Sequence, residues 1–282
     1  MGLALETIVG YNGNLTGSTT FDALTAGTGD TFTVRSFVDG SNAYLEDVWM
    51  ADDDSIFQLS IKSPRLHDNV YGIRMAGTNL SVAVEQVFLP SVMLPGHVIQ
   101  RLNSTDVLSV TANGTAADIV CAAFNIRYDN LGGIASRLFR WEQVQGHIRN
   151  MVGILTAPVP SSTAGNWGAN YLLNAGDNRL KANTDYAVLG YTSSRSVVAI
   201  AMTGIDTGNL AVGGPGGTDA TVTGDFFVQN SLKYGRPGIP VINSNNAGGI
   251  NVQIADILTS GTPNVTWIMG ELDQLMGNPS PV

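Results

Sequence analysis

The chain has 282 residues, 44% of them hydrophobic and only 13% charged, about half the charged fraction of an ordinary globular chain. A net charge of −9 and only three lysines (Lys62, Lys181 and Lys233) argue against nucleic-acid binding as the main task and against direct sequence-specific binding. So uncharged a surface favours burial in an assembly over life as a free monomer.

From the start, residues 1–29 read as an N-terminal arm. Met1–Val9 has no basic stretch and no long apolar core, so it does not read as a signal peptide, and no apolar run approaches 18 residues. Short apolar runs punctuated by Gly, Asn, Asp and Ser then follow, the rhythm of strands and tight turns. In 31–37, Phe32 and Val34 share one face; in 79–89, Leu80, Val82 and Val84 do. Further strands are expected at 43–50, 55–62, 106–111 and 118–128. Cys121, the single cysteine, lies in the apolar run Ile119–Phe124 and reads as a small buried hydrophobe. Five N-x-S/T sites (Asn14, Asn79, Asn103, Asn113 and Asn264) read as turn residues.

Residues 133–155 break the pattern. Ile134, Leu138, Trp141, Val144, Ile148, Met151 and Leu155 recur at spacings of three and four, which predicts an amphipathic helix ended by Pro158 and Pro160, with Arg137, Arg140 and Arg149 off its apolar stripe. Residues 161–183 read as an irregular connector. Strands are expected again at 186–191, 196–203, 222–229, 250–256 and 264–272. The Gly-rich Val212–Thr218 and Asn-rich Asn243–Gly249 read as loops, facing solvent or reaching neighbours.

The two strand-rich stretches share anchors in the same order. Phe32, Val34 and Phe37 match Tyr186, Val188 and Tyr191, an offset of 154, with Ala43, Val48 and Asp52 meeting Val197, Met202 and Asp206. Pro95-Gly96 matches Pro237-Gly238, Asn103-Ser104 matches Asn243-Ser244, and Gly114-Thr115 with its following strand matches Gly261-Thr262 with its own. An all-β chain of two tandem antiparallel sandwiches is therefore expected: first jelly roll 30–132, helix and connector 133–183, second jelly roll 184–273, tail 274–282.

On these anchors the chain resembles the double jelly-roll major capsid proteins of tailless icosahedral viruses, over about residues 30–129 and 184–273. The resemblance is architectural and rests on no short sequence signature. It implies homotrimers whose six jelly rolls form pseudo-hexameric capsomers. Those capsomers tile an icosahedral shell with neighbouring capsomers, minor capsid proteins and often an internal membrane. It also implies a virion protein made in the host cytoplasm. A minor capsid, spike or tail component, and a carbohydrate-binding or adhesive double sandwich, remain open.

Chemistry is sparse. His67, His97 and His147 are far apart, and no zinc-ligand spacing, nucleophile elbow or P-loop is present, so neither catalysis nor a cofactor is implied. Asp52-Asp53-Asp54 is the densest acidic run; its metal-binding reading, as a Ca²⁺ loop, lacks the turn Gly and closing Glu, which favours a solvated turn. Trp141 and Trp267 read as core. Trp167, between Asn166 and Gly168, reads either as an interface anchor or as a loop packed on its own sandwich. Arg137, Arg140 and Arg149, with nearby Arg127, are the one basic concentration, facing either solvent or acidic neighbours and lipid head groups.

Overall fold

The computed structural model describes residues 3–27, 29–52, 56–66, 70, 72–76, 86–88, 100–160, 165–175, 179–195, 197–216, 223–256 and 262–277. Ten strands form the first half: β1 (Ala4–Asn12), β2 (Asp22–Ala23), β3 (Thr25–Ala26), β4 (Ala43–Asp52), β5 (Ile56–Lys62), β6 (Ile73–Ala76), β7 (Gln86–Phe88), β8 (Gln100–Leu102), β9 (Ser109–Gly114) and β10 (Val120–Tyr128). The second half begins with β11 (Leu138–Phe139), a single helical turn α1 (Trp141–Val144), β12 (Ile148–Thr156) and β13 (Tyr171–Leu172). It continues through β14 (Asp185–Ser193), β15 (Val197–Thr203), β16 (Val212–Gly216), helix α2 (Phe226–Tyr234), β17 (Ile239–Asn243), β18 (Asn251–Ala255) and β19 (Val265–Leu272).

Among the described residues, four antiparallel sheets make two sandwiches. The first pairs β3-β1-β10-β4-β7, with β8 also beside β4, against β2-β9-β5-β6; the second pairs β11-β17-β14-β19-β12 against β13-β18-β15-β16. Each half thus contains the same core orders: β1-β10-β4-β8 over β2-β9-β5-β6, and β12-β19-β14-β17 over β13-β18-β15-β16. In both, the chain visits the two sheets in the same sequence, the connectivity of an eight-stranded jelly roll. The protein is all-β in class. Period-two pleating fills the space between sheets: Ile8, Phe124, Leu59, Ile61 and Val110 in the first core, Val188, Trp267, Ile154, Ile200 and Val252 in the second.

Several expectations change. Residues 133–155 form β11, α1, a 3-10 turn and β12 in place of one long helix. From Ile148 the β-branched Ile148, Val152, Ile154 and Thr156 occupy alternate positions, and Gly146 and Gly153 disfavour helix. Once β12 pairs with β19 from Ile148↔Leu272 to Thr156↔Val265, the ladder decides. Part of the expected arm is β1, a central strand paired along its whole length with β10. The strand expected at 222–229 is largely helix α2, which lays Phe227 and Val228 on the second core and ends at Gly235 in the left-handed region, φ +59°. Thr31–Phe37 joins no ladder beyond the bridge Thr33↔Val107. Of 79–89, only β7 lies within the described residues, and Pro95-Gly96 lies outside them. Topological equivalence pairs β4 with β14, an offset of 143 from Ala43 to Tyr186, so Tyr186 is not the counterpart of Phe32. Leu102 and Ile242 do correspond, facing Ala43 and Tyr186 across equivalent ladders.

Over Val212–Gly216, the Gly-rich segment expected as a loop is the fully buried strand β16, paired with β15; Gly217 and Thr218 lie outside the described residues. Glycine is required there by close approach: a Cβ on Gly213 would overlap the Ile200 carbonyl, and one on Gly214 would overlap the Phe226 ring and the Tyr191 hydroxyl. Gly214→Val is expected to lower the free energy of unfolding by about 1–3 kcal/mol. Urea denaturation checks this, and an unchanged midpoint would mean that α2 shifts aside without cost. The Asn-rich Asn243–Gly249 is mostly a 3-10 helix, Ser244–Gly249, started by the Asn243 side chain accepting from the Asn245 N–H.

Candidate assembly surfaces

The sandwiches meet through the outer face of β1-β10-β4. Alternation puts Val9, Trp49, Cys121 and Ala123 on this face, against Val198, Ala199, Ala201 and Ala255 of the second sandwich and Trp167 of the connector. Backbone groups join in. The Thr7 N–H donates to the Ala211 carbonyl (2.7 Å), and the Gly213 N–H donates to Thr7 Oγ1 (2.9 Å). The Trp49 indole N–H donates to the Val198 carbonyl (2.8 Å).

At one end of this interface lies a buried polar clasp. Arg127 is fully buried and forms a bidentate ion pair with Glu46, also donating to the Pro237 carbonyl. Burial holds the Glu46 carboxyl above the usual carboxylate range, against the pull of Arg127. Beside it, Asp47 accepts from Lys233 Nζ (2.8 Å), the Tyr234 hydroxyl (2.8 Å) and Asn230. Burial, with Asp47 adding to it, pushes the Tyr234 phenol up.

The equivalent face of the second sandwich is β12-β19-β14. Matching the ladders puts Met151 where Leu5 stands, Gly153 where Thr7 stands, Leu155 where Val9 stands and Ile268 where Asn125 stands. Here Met151 is 57% and Leu155 37% exposed. In the first sandwich the corresponding face is covered by the second; in the second sandwich, this strip of it is open.

The residues singled out in the sequence go to different places. Arg137 pairs with buried Asp185 (2.7 Å) and Asp206 (3.5 Å) and donates to the Met276 carbonyl (2.6 Å), so it ties the segment after β19 to β14. Arg149 is exposed on β12 and donates to the Asp273 carbonyl (3.1 Å). Arg140 lines a cleft between the sandwiches. Trp167 is buried, and its indole N–H donates to Asp30 Oδ2 (2.9 Å). Asp52 ends β4 with its side chain outside the described residues, as are Asp53 and Asp54. His67 and His97 also lie outside; His147 contacts Asp273 (3.0 Å). Cys121 is buried. Among the described residues, no cluster of metal-ligating side chains is found and no helix is long and apolar enough to cross a membrane. The open strip and the Arg127–Glu46 clasp were missed in the sequence, although the β-branched alternation from Ile148 to Thr156 was a signal for β12.

Fold and faces together define a tandem antiparallel β-sandwich protein with one sandwich-on-sandwich interface and one open equivalent face. No family model matches the chain, and no curated protein matches it. Among solved structures it is similar to the crystal structure of the STIV major capsid protein, at 8% identity over 96% of each chain with a TM-score of 0.21, too weak to carry an argument about function.

Proposed function

We propose that the chain is a structural shell subunit, a viral capsid protein that works by assembling with copies of itself. One observation carries the reading: two equivalent sheet faces differ in cover. The β1-β10-β4 face is covered by the β13-β18-β15-β16 sheet of the same chain, whereas Met151 and Leu155 on the β12-β19-β14 face meet solvent. Exposed apolar strips of this kind mark interaction sites. A second copy offers the matching cover, the β2-β9-β5-β6 sheet of its first sandwich, the topological equivalent of the covering β13-β18-β15-β16 sheet.

A head-to-tail contact of this kind closes a ring if its rotation permits. With two sandwiches per chain, three copies supply six, so the expected unit is a homotrimer with pseudo-hexameric outline. In this reading the protein resides in the virion capsid after synthesis in the host cytoplasm. Its partners are neighbouring capsomers, minor capsid proteins and an internal membrane, and its role is structural and non-enzymatic. A sugar-binding sandwich would instead display aligned aromatic rings, but Trp49, Trp167 and Trp267 are buried within the fold.

Light scattering after size exclusion tests this. The expected mass is three times 29.7 kDa for the wild-type chain. Met151→Asp combined with Leu155→Asp is expected to weaken assembly at least tenfold, with stability within about 0.5 kcal/mol because both side chains are exposed. A monomeric wild type, or a double variant that assembles unchanged, overturns the proposal.

A further inference from the structure

A cleft of about 430 Å³ opens where the two sandwiches meet, beside the buried clasp. Leu3, Val38 and Asn42 line it from the first sandwich, and Arg140, Arg236 and Pro237 from the second. Three arginines reach it, and they are committed to different degrees. Arg127 is fully engaged by Glu46 and the Pro237 carbonyl. Arg236 lies over the Tyr44 ring, 4.2 Å from its centre, and only loosely near Asp129 at 3.9 Å. Arg140 forms no ion pair among the described residues; its backbone is fixed by Gln143 (2.8 Å), but its buried Nε has no partner.

Asn42, which lines the same cleft, carries a second unpartnered atom, of opposite polarity. Asn42 donates to Asp129 (3.4 Å) through Nδ2, and its buried Oδ1 accepts nothing. A buried donor and a buried acceptor left unmade are costly, and a ligand that satisfies both is favoured. A guanidinium matches a carboxylate in geometry and charge. An acceptor beside it calls for a donor close to that carboxylate. Asp39 and Asp129 also line the cleft and repel a doubly charged phosphate. Leu3, Val38 and Pro237 offer apolar wall to an aliphatic stem.

We propose that this cleft is a recognition site for a carboxylate carried on polypeptide, with Arg140 and Arg236 holding the carboxylate and Asn42 Oδ1 accepting the neighbouring amide N–H. The carboxylate comes from an acidic side chain or a chain end. Unlike the sheet-face contact, this site does not require a trimer and stands whether or not the shell reading holds.

Calorimetric titration of the full chain at pH 7 and low salt tests it. The probes are N-acetylglycine for a chain end, N-acetyl-aspartate α-amide for a side chain, propionate as a carboxylate without an amide, and inorganic phosphate. At least one acetylated probe is expected to bind saturably, at least fivefold tighter than propionate or phosphate, and the tighter of the two identifies the source. Arg140→Gln is expected to weaken that binding at least tenfold while far-UV circular dichroism and the thermal midpoint stay unchanged. Asn42→Ala is expected to erase the preference over propionate. Should Arg140→Gln disturb the fold, Asn42→Ala carries the test by itself. Absence of saturable binding, phosphate binding as tightly as either acetylated probe, or variants that bind like wild type overturns the assignment.

Discussion

Arg127→Met is expected to cost about 3–5 kcal/mol of unfolding free energy at pH 7, the largest single loss available at the sandwich interface. The substitution does little to packing volume. It leaves Glu46, itself fully buried, without its counter-charge, and it removes the donor from the Pro237 carbonyl. Tyr234 stays in place to donate to the Glu46 backbone carbonyl (2.5 Å), so the charged group left stranded is the carboxylate, beside the Pro237 carbonyl. Burial already holds the Glu46 pKa above its ordinary value with Arg127 present. A raised carboxyl pKa means that the folded state binds the proton more tightly than the unfolded chain. Its contribution to stability is therefore present at low pH and lost as pH rises through the folded value. Without Arg127 that value rises further, so the deficit of the variant should shrink on acidification toward pH 5. Pairing Arg127→Met with Glu46→Leu is expected to restore most of the loss, because a buried apolar pair avoids the desolvation of two charges. Urea denaturation of the wild type, the single and the double variant at two pH values decides. A single variant within 1 kcal/mol of wild type, or a double variant no better than the single, would show that the pair is not what holds this end of the interface.

The fold class was legible because strands announce themselves locally. The expectation for 118–128 nearly coincides with β10, and 264–272 with β19, since apolar residues recur at alternate, core-facing positions of both and their bounds are set by turn residues. The segment 133–155 was misread for a physical reason. Apolar residues spaced by three and four also fall on a strand, and here Ile148, Val152 and Ile154 share its inner side. The misreading had a functional consequence. On a helix, Met151 and Leu155 belong to the stripe facing the core; on β12 they stand on the opposite side from Ile154 and meet solvent. Phe226-Phe227-Val228 looked like a strand but opens helix α2, where Phe227 packs edge to face on both Tyr191 and Phe226. Pairings such as Arg127 with Glu46, or Trp167 with Asp30, join residues far apart in sequence and became visible only once the sheets were assembled. The basic concentration proposed from the sequence dispersed for the same reason: Arg137, Arg140 and Arg149 sit on a tie to the segment after β19, a cleft wall and a strand edge.

Stability is expected to fall as pH rises from about 4 to about 7, with Asp30 as the main source at the joint between sandwiches. One oxygen of its carboxyl accepts both the Val9 N–H (2.8 Å) and the Trp167 indole N–H (2.9 Å), bonds that favour the charged form. Burial outweighs them, helped by the negative charge of Glu6 and opposed by Arg35, and pushes the Asp30 pKa up to about 7 from 3.8. The proton on Asp30 therefore adds stability that is complete below about 3.8 and gone above about 7. A shift of this size corresponds to at most about 4 kcal/mol, and partial contact with solvent reduces it to about 2 kcal/mol. Asp30→Asn keeps an acceptor for Val9 and Trp167 and removes the charge. It is expected to match the wild type near pH 4 and to exceed it by about 2 kcal/mol at pH 8. Taking the difference between the two proteins at each pH isolates the part of the pH dependence that needs the Asp30 carboxyl. Trp167 packs on Val9 and Cys121 at the joint, so its fluorescence should respond over the same pH interval in the wild type and stay flat in the variant. Parallel stability curves from pH 4 to 8 would place the pH dependence elsewhere and leave Asp30 as an ordinary ionised hydrogen-bond acceptor.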